Sequence, residues 1–209
     1  MKQLNEIIRD AGKAATWLAY RKAASQIREL LKSGTAKLQT SVKTAFLSSF
    51  TIDPLVDFAI VEAAARSIEL QSYIAPYGQF NQELLNPQSE LYRASPQITF
   101  LLIEAESGLD NLVDAFLKNS TGILVINTFP ACPSWPFQVM PDQRRIMIQR
   151  LNAGLIERYQ GNPRIQILDL DALVAYSGCQ NAMSPQMMSM ARIPFSESFL
   201  NLLARRVVS

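Results

Sequence analysis

Short apolar runs alternate with stretches of helical period along most of the chain. The spacing predicts strands over 42–47, 68–74, 98–103, 122–126 and 165–168, with those over 98–103 and 122–126 almost wholly apolar. Between them lie helices over about 54–66, 109–117 and 142–160, and two short helical turns around Asn86-Pro87 within 79–93. Asp53-Pro54 opens the first of these, with proline in its first turn. Short helices follow over about 170–177, 185–190 and 196–207. Ahead of all this, Leu4, Ile7, Ile8, Ala11, Ala15, Leu18, Ile27, Leu30 and Leu31 fall near helical spacing. They predict one long helix over 3–32, ended at Ser33-Gly34. Wholly apolar strands that alternate with helices belong to a parallel sheet covered on both faces. The expectation is one three-layer α/β sandwich with a five-stranded parallel sheet over 42–209, preceded by a basic amphipathic helix and linker over 1–41.

Such sheets bind ligands beyond the carboxyl ends of their strands. Here those ends are Ser48-Ser49, Tyr77-Gly78-Gln79, Glu104, Asn127 and Asp169. Residues 129–141 hold four prolines together with Trp135, Phe137 and Met140, an apolar composition suited to a lid or a protein contact.

Charge and composition narrow the chemistry. The net charge is +2, too small to point to a nucleic acid. It is uneven: residues 1–45 carry +6 and the rest −4. A basic arm on a mildly acidic body suits an anionic partner, or is simply a solvated helix face. Histidine is absent, which removes Ser-His-Asp and Cys-His chemistry and the commonest zinc ligand. Cys132 and Cys179 show no metal-ligand spacing and suggest no disulfide framework. With no signal peptide and no apolar run of about 18 residues, a cytoplasmic protein without a membrane span is expected.

Three stretches together resemble the N-terminal domain of FkbH-like proteins. They are Phe46-Leu47-Ser48-Ser49-Phe50-Thr51-Ile52-Asp53-Pro54-Leu55; Tyr77-Gly78-Gln79-Phe80-Asn81-Gln82-Glu83-Leu84-Leu85, with Asn86-Pro87 and Leu91-Tyr92; and Leu168-Asp169-Leu170-Asp171-Ala172-Leu173, with Ile193-Pro194-Phe195-Ser196-Glu197 further on. The match runs from about 43 to 205, and its middle block is the most specific. The resemblance implies an SGNH-hydrolase-like fold with the flavodoxin-type strand order 2-1-3-4-5. It also implies a following phosphatase-like domain of the haloacid dehalogenase superfamily, in cis or in trans. Whole proteins of this kind resemble transferases that load a glyceryl or related unit onto an acyl carrier protein in polyketide-like biosynthesis. The partner implied is that carrier or its acyl-phosphopantetheine. No cofactor and no metal site is implied for this part, because the magnesium-binding aspartates belong to the second domain. The chain stops at Ser209, where that domain would begin, as either a fragment or a free-standing relative would.

SGNH hydrolases place Gly-Asp-Ser after their first strand. In the closest register Ser48 and Ser49 take the first two places and Phe50 the nucleophile's; a shift of one lets Ser49 serve. The later Asp-x-x-His is missing, and Arg192-Ile193-Pro194 lies near its place. A serine without a base keeps its proton at neutral pH. Ser48 and Ser49 therefore read as structural or ligand-contacting hydroxyls, with Ser49 the candidate nucleophile of the alternative, a stand-alone acyl transferase or esterase with an atypical base. Gly78, Gln79 and Asn81 offer close backbone approach and neutral donors and acceptors. Glu104 either caps the next helix or faces the pocket, and Asn127 either fixes a loop or donates to an oxyanion. Asp169 and Asp171 read as helix caps rather than as a phosphatase nucleophile pair. Met183, Met187, Met188 and Met190 read as core filling or as an adaptable surface.

Overall fold

The computed structural model describes residues 2–105, 108–132 and 142–209. The periodic N-terminal stretch forms two helices, α1 (Lys2–Ala14) and α2 (Trp17–Lys32). The break falls at Ala15, whose φ is 52°, and Thr16 caps α2 by accepting from the Ala19 amide. The apolar period runs through the break, which is why spacing alone joins the two.

The chain then alternates as its pattern predicts: β1 (Thr40–Ser48), α3 (Asp53–Ala65), β2 (Ile68–Ile74), α4 (Phe80–Leu85), α5 (Glu90–Ala94), β3 (Ile98–Leu102), α6 (Asp110–Asn119), β4 (Ile123–Asn127), α7 (Gln143–Tyr159) and β5 (Ile165–Leu168). Four helices close it: α8 (Leu170–Ser177), α9 (Cys179–Ala182), α10 (Pro185–Ala191) and α11 (Glu197–Val207). All five strands are parallel, in the order β2-β1-β3-β4-β5. Side chains alternate across the sheet. Phe46, Phe100, Val125 and Leu168 face α3 and α11, with α1 and α2 stacked behind α3; Leu47, Leu101, Leu124 and Ile126 face α4, α6 and α7. Helix α3 is sandwiched on all sides and almost wholly apolar, with Leu55, Val56, Phe58 and Ala59 fully buried.

Two features fix the end of the sheet opposite the strand exits. A Cβ at Gly122 would lie 2.5 Å from the Pro96 carbonyl oxygen, so only glycine lets β4 start against the β3 approach. Arg164 spreads its guanidinium over the carbonyls of Leu117, Ser120 and Gly122, closing the end of α6.

The cysteines correct the reading of their spacing. Cys132 and Cys179 form a disulfide, with Cα atoms 5.9 Å apart. Their separation of 47 residues carries no signal, because it spans α7 and β5 before the chain returns to the same end of the sheet. Most of the proline-rich segment, with Trp135, Phe137 and Met140, lies outside the described residues. Of the methionine group, Met183 and Met187 pack against the core while Met190 is exposed.

Candidate functional site at the strand exits

Parallel pairing brings all five carboxyl ends to one edge, and hydrogen bonds stitch them together. The Gly78 amide donates to the Ser48 carbonyl at 3.3 Å, joining the exits of β2 and β1. The Ser49 amide donates to Leu102, and in return the Glu104 amide donates to Ser49 Oγ at 2.8 Å, joining β1 to β3. Asn127 joins β3 to β4: its Oδ1 accepts from the Ile103 amide at 2.8 Å, and its Nδ2 donates to the carbonyls of Ile103 and Thr128. Thr128 joins β4 to β5, donating to Asp169 Oδ1 at 3.0 Å while accepting from the Asp171 amide. Finally the Thr51 amide donates to the Arg192 carbonyl at 3.0 Å, bringing the end of α10 against the β1 exit.

These contacts sort the candidate residues by what remains open on each. Asn127 is fully buried and its amide is fully committed, so it works as the loop-fixing side chain and offers no donor to an oxyanion. Ser48 is buried and donates its hydroxyl to the Phe50 carbonyl. Ser49 is half-buried; its oxygen accepts one N–H, which leaves its own hydrogen to donate. Gly78 holds φ 69°, the left-handed turn that lets the chain enter α4. Gln79 is exposed at the start of α4 and caps nothing with its side chain; Asn81, in the first turn, is half-buried. The Glu104 carboxylate is exposed, and residues 106–107, which follow it before the next helix, lie outside the described residues.

Further polar residues position this edge. Asn152, on α7, clasps both the amide and the carbonyl of Phe129 at 2.7 and 2.8 Å. Asp171 accepts from the Ala131 amide, and Asp169 caps α8 through the Ala172 amide. Asp169 therefore does cap, as its position suggests, whereas Asp171, in the first turn of α8, braces the β4 exit loop instead. Glu83 is buried and accepts from the Leu91 amide, locking α4 to α5. Burial, followed by that nearby carboxylate, pushes the Tyr73 phenol up to about 12. Asn152 has no motif around it; its only sequence signal is that a buried position is polar at all.

Away from this edge, a cleft of about 440 Å³ separates α2 from the edge strand β2, lined in part by Ile27, Arg28, Leu31, Ile68 and Leu70. A second, of about 240 Å³, lies between α6 and α7, where Tyr159 donates to Asp110 and Arg158 pairs with the same carboxylate.

Five parallel strands in this order, covered by helices on both faces, make a three-layer α/β fold of flavodoxin-type topology, with polar residues gathered along the strand exits. No family model matches the sequence, and no curated protein matches it. Solved structures share the fold. One is the N-terminal part of the protein BF1531 from Bacteroides fragilis, containing a phosphatase domain and complexed with Mg; it is 17% identical with a TM-score of 0.74, over 92% of this chain and 55% of that one. Another is a lipase/acylhydrolase from Enterococcus faecalis, 14% identical with a TM-score of 0.52, over 80% of this chain and 93% of that one. The chain thus spans about half the length of that solved N-terminal part. At the level of the fold, these matches bear out the resemblance to the SGNH-like N-terminal domain of FkbH-like proteins.

Proposed function

We propose that this chain is a non-hydrolytic SGNH-like module of an FkbH-type protein. It binds or orients an acyl unit of glyceryl type, or the carrier protein bearing it, at the strand exits. It does so beside a haloacid dehalogenase-like phosphatase domain, in cis or in trans. The observation that carries this reading is the state of Ser49. Its oxygen is engaged by the Glu104 amide, and a chain without histidine has no imidazole to take its proton. What the serine has left is a hydrogen-bond donor suited to a carbonyl or ester oxygen, on the same edge of the sheet as the side-chain amides of Gln79 and Asn81. The fold shared with a Bacteroides protein that contains a phosphatase domain supports the partner.

The test is turnover against binding. The wild-type protein should bind a short acyl-pantetheine thioester and release no thiol over hours. Ser49→Ala should weaken binding by about fivefold, the loss of one modest hydrogen bond. Thiol release that Ser49→Ala abolishes would establish the esterase or acyl transferase instead.

A further inference from the structure

Four described residues other than glycine have positive φ: Ala15, Ser67, Ser95 and Arg192. Three have small side chains; Arg192 is the exception. It stands at the C-terminal cap of α10, at φ 56° and ψ 36°, where glycine is the favoured residue and any side chain carries a conformational cost. The backbone there has a structural task, since the Arg192 carbonyl accepts the Thr51 amide and the Arg192 amide bonds back to Met188. Glycine would perform that task at lower cost, so the task does not account for a long cation. Nor does an internal partner. Arg192 is exposed, and it takes part in none of the ion pairs or side-chain hydrogen bonds among the described residues. Its backbone lies one hydrogen bond from Thr51, two residues beyond Ser49. Glu104, Asp169 and Asp171, also at the strand exits, are carboxylates.

We infer that Arg192 is a phosphate-binding residue at the mouth of the strand-exit site, and that the group it takes is the phosphate of a phosphopantetheine arm. A guanidinium fork pairs with phosphate oxygens through two parallel hydrogen bonds and stays charged at every working pH. An arm whose acyl end meets Ser49 and Asn81 needs its anionic end at the rim. There the carboxylates repel it and Arg192 attracts it, so the cation also sets the direction of insertion. This inference rests on the proposed binding of an acyl unit at the strand exits, and it assigns the other end of that ligand.

The experiment compares an acyl-pantetheine with the same acyl-4′-phosphopantetheine by calorimetry at low salt, on the wild type, Arg192→Gly, Arg192→Gln and Arg192→Lys. In the wild type the phosphate should tighten binding by about tenfold, the worth of one charge-assisted pair. That gain should vanish in the Gly and Gln variants and persist in part in the Lys variant. Arg192→Gly should melt no lower than the wild type, because it relieves the left-handed backbone. A gain that survives in Arg192→Gly, or equal binding of the two ligands by the wild type, overturns the assignment but leaves the acyl site standing. Failure of both ligands to bind the wild type removes the acyl site itself, and the assignment with it.

Discussion

Asp57 is 8% exposed, on the helix packed between the sheet and α2. Trp17 Nε1 donates to it at 3.1 Å and Arg28 stands 3.8 Å away. Even so, loss of hydration outweighs these partners, and the carboxyl is held above its usual 3.8. A carboxyl raised on folding makes its full contribution below the unfolded value and loses it as pH rises through the folded value. Asp57→Asn keeps an acceptor for Trp17 and removes the buried charge. The variant should therefore match or exceed the wild type in urea unfolding at pH 7, and its relative advantage should shrink to nothing near pH 3. An advantage that grows on acidification would contradict the sign. Asn127 is the opposite case, a neutral buried amide with every group paired. Removing it would strand the amide and carbonyl of Ile103, at about 1–3 kcal/mol for each orphaned group. The sequence places Asn127 at a strand exit but leaves its role open. Only the partner across the sheet decides, and that partner is 24 residues away.

At the scale of elements, most of the architecture is legible because it follows local period. The strands over 68–74 and 165–168 begin and end where the pattern predicts, and the others shift by a residue or two. The helix break at Ala15 is invisible because it changes no apolar position, and the disulfide is invisible because two cysteines have no intrinsic spacing. That bond ties the end of the β4 exit loop to the start of α9, across a closed loop of 47 residues. On the chain-entropy account such a loop contributes about 4 kcal/mol, within a usual spread of about 2–4. The loop up to Ala131 is independently held by Thr128, Asp171 and Asn152, so reduction should loosen the link without unravelling the sheet edge. Thermal unfolding in excess dithiothreitol should fall by roughly 5–15 °C relative to the oxidised protein. An unchanged midpoint would mean the bridge constrains nothing.

At the scale of the whole molecule, the charge division read in the sequence takes a definite place. The basic helices stack on α3, on one flank of the sandwich, while the strand exits occupy one edge of the sheet. Not every cation there is equally open: Arg28 faces Asp57 and Arg21 lies 5.7 Å over the Trp17 ring, whereas Lys13 and Lys22 are exposed and unpaired among the described residues. If these helices dock an acidic carrier, Lys13→Glu with Lys22→Glu should slow association and weaken binding several-fold at low salt, with the difference fading as salt rises. Surface plasmon resonance across a salt series reads both effects, and equal on-rates would remove the basic flank from the docking surface.

The central claim is that a histidine-free strand edge holds an acyl unit rather than cleaving it. Amide chemical shifts recorded while an acyl-pantetheine is titrated test it most directly. The account predicts saturable shifts concentrated at Ser49, Gly78 to Asn81 and Glu104, with the thioester intact at the end of the titration. Shifts confined to the cleft between α2 and β2, or a spectrum that ends as free thiol and acid, would contradict it.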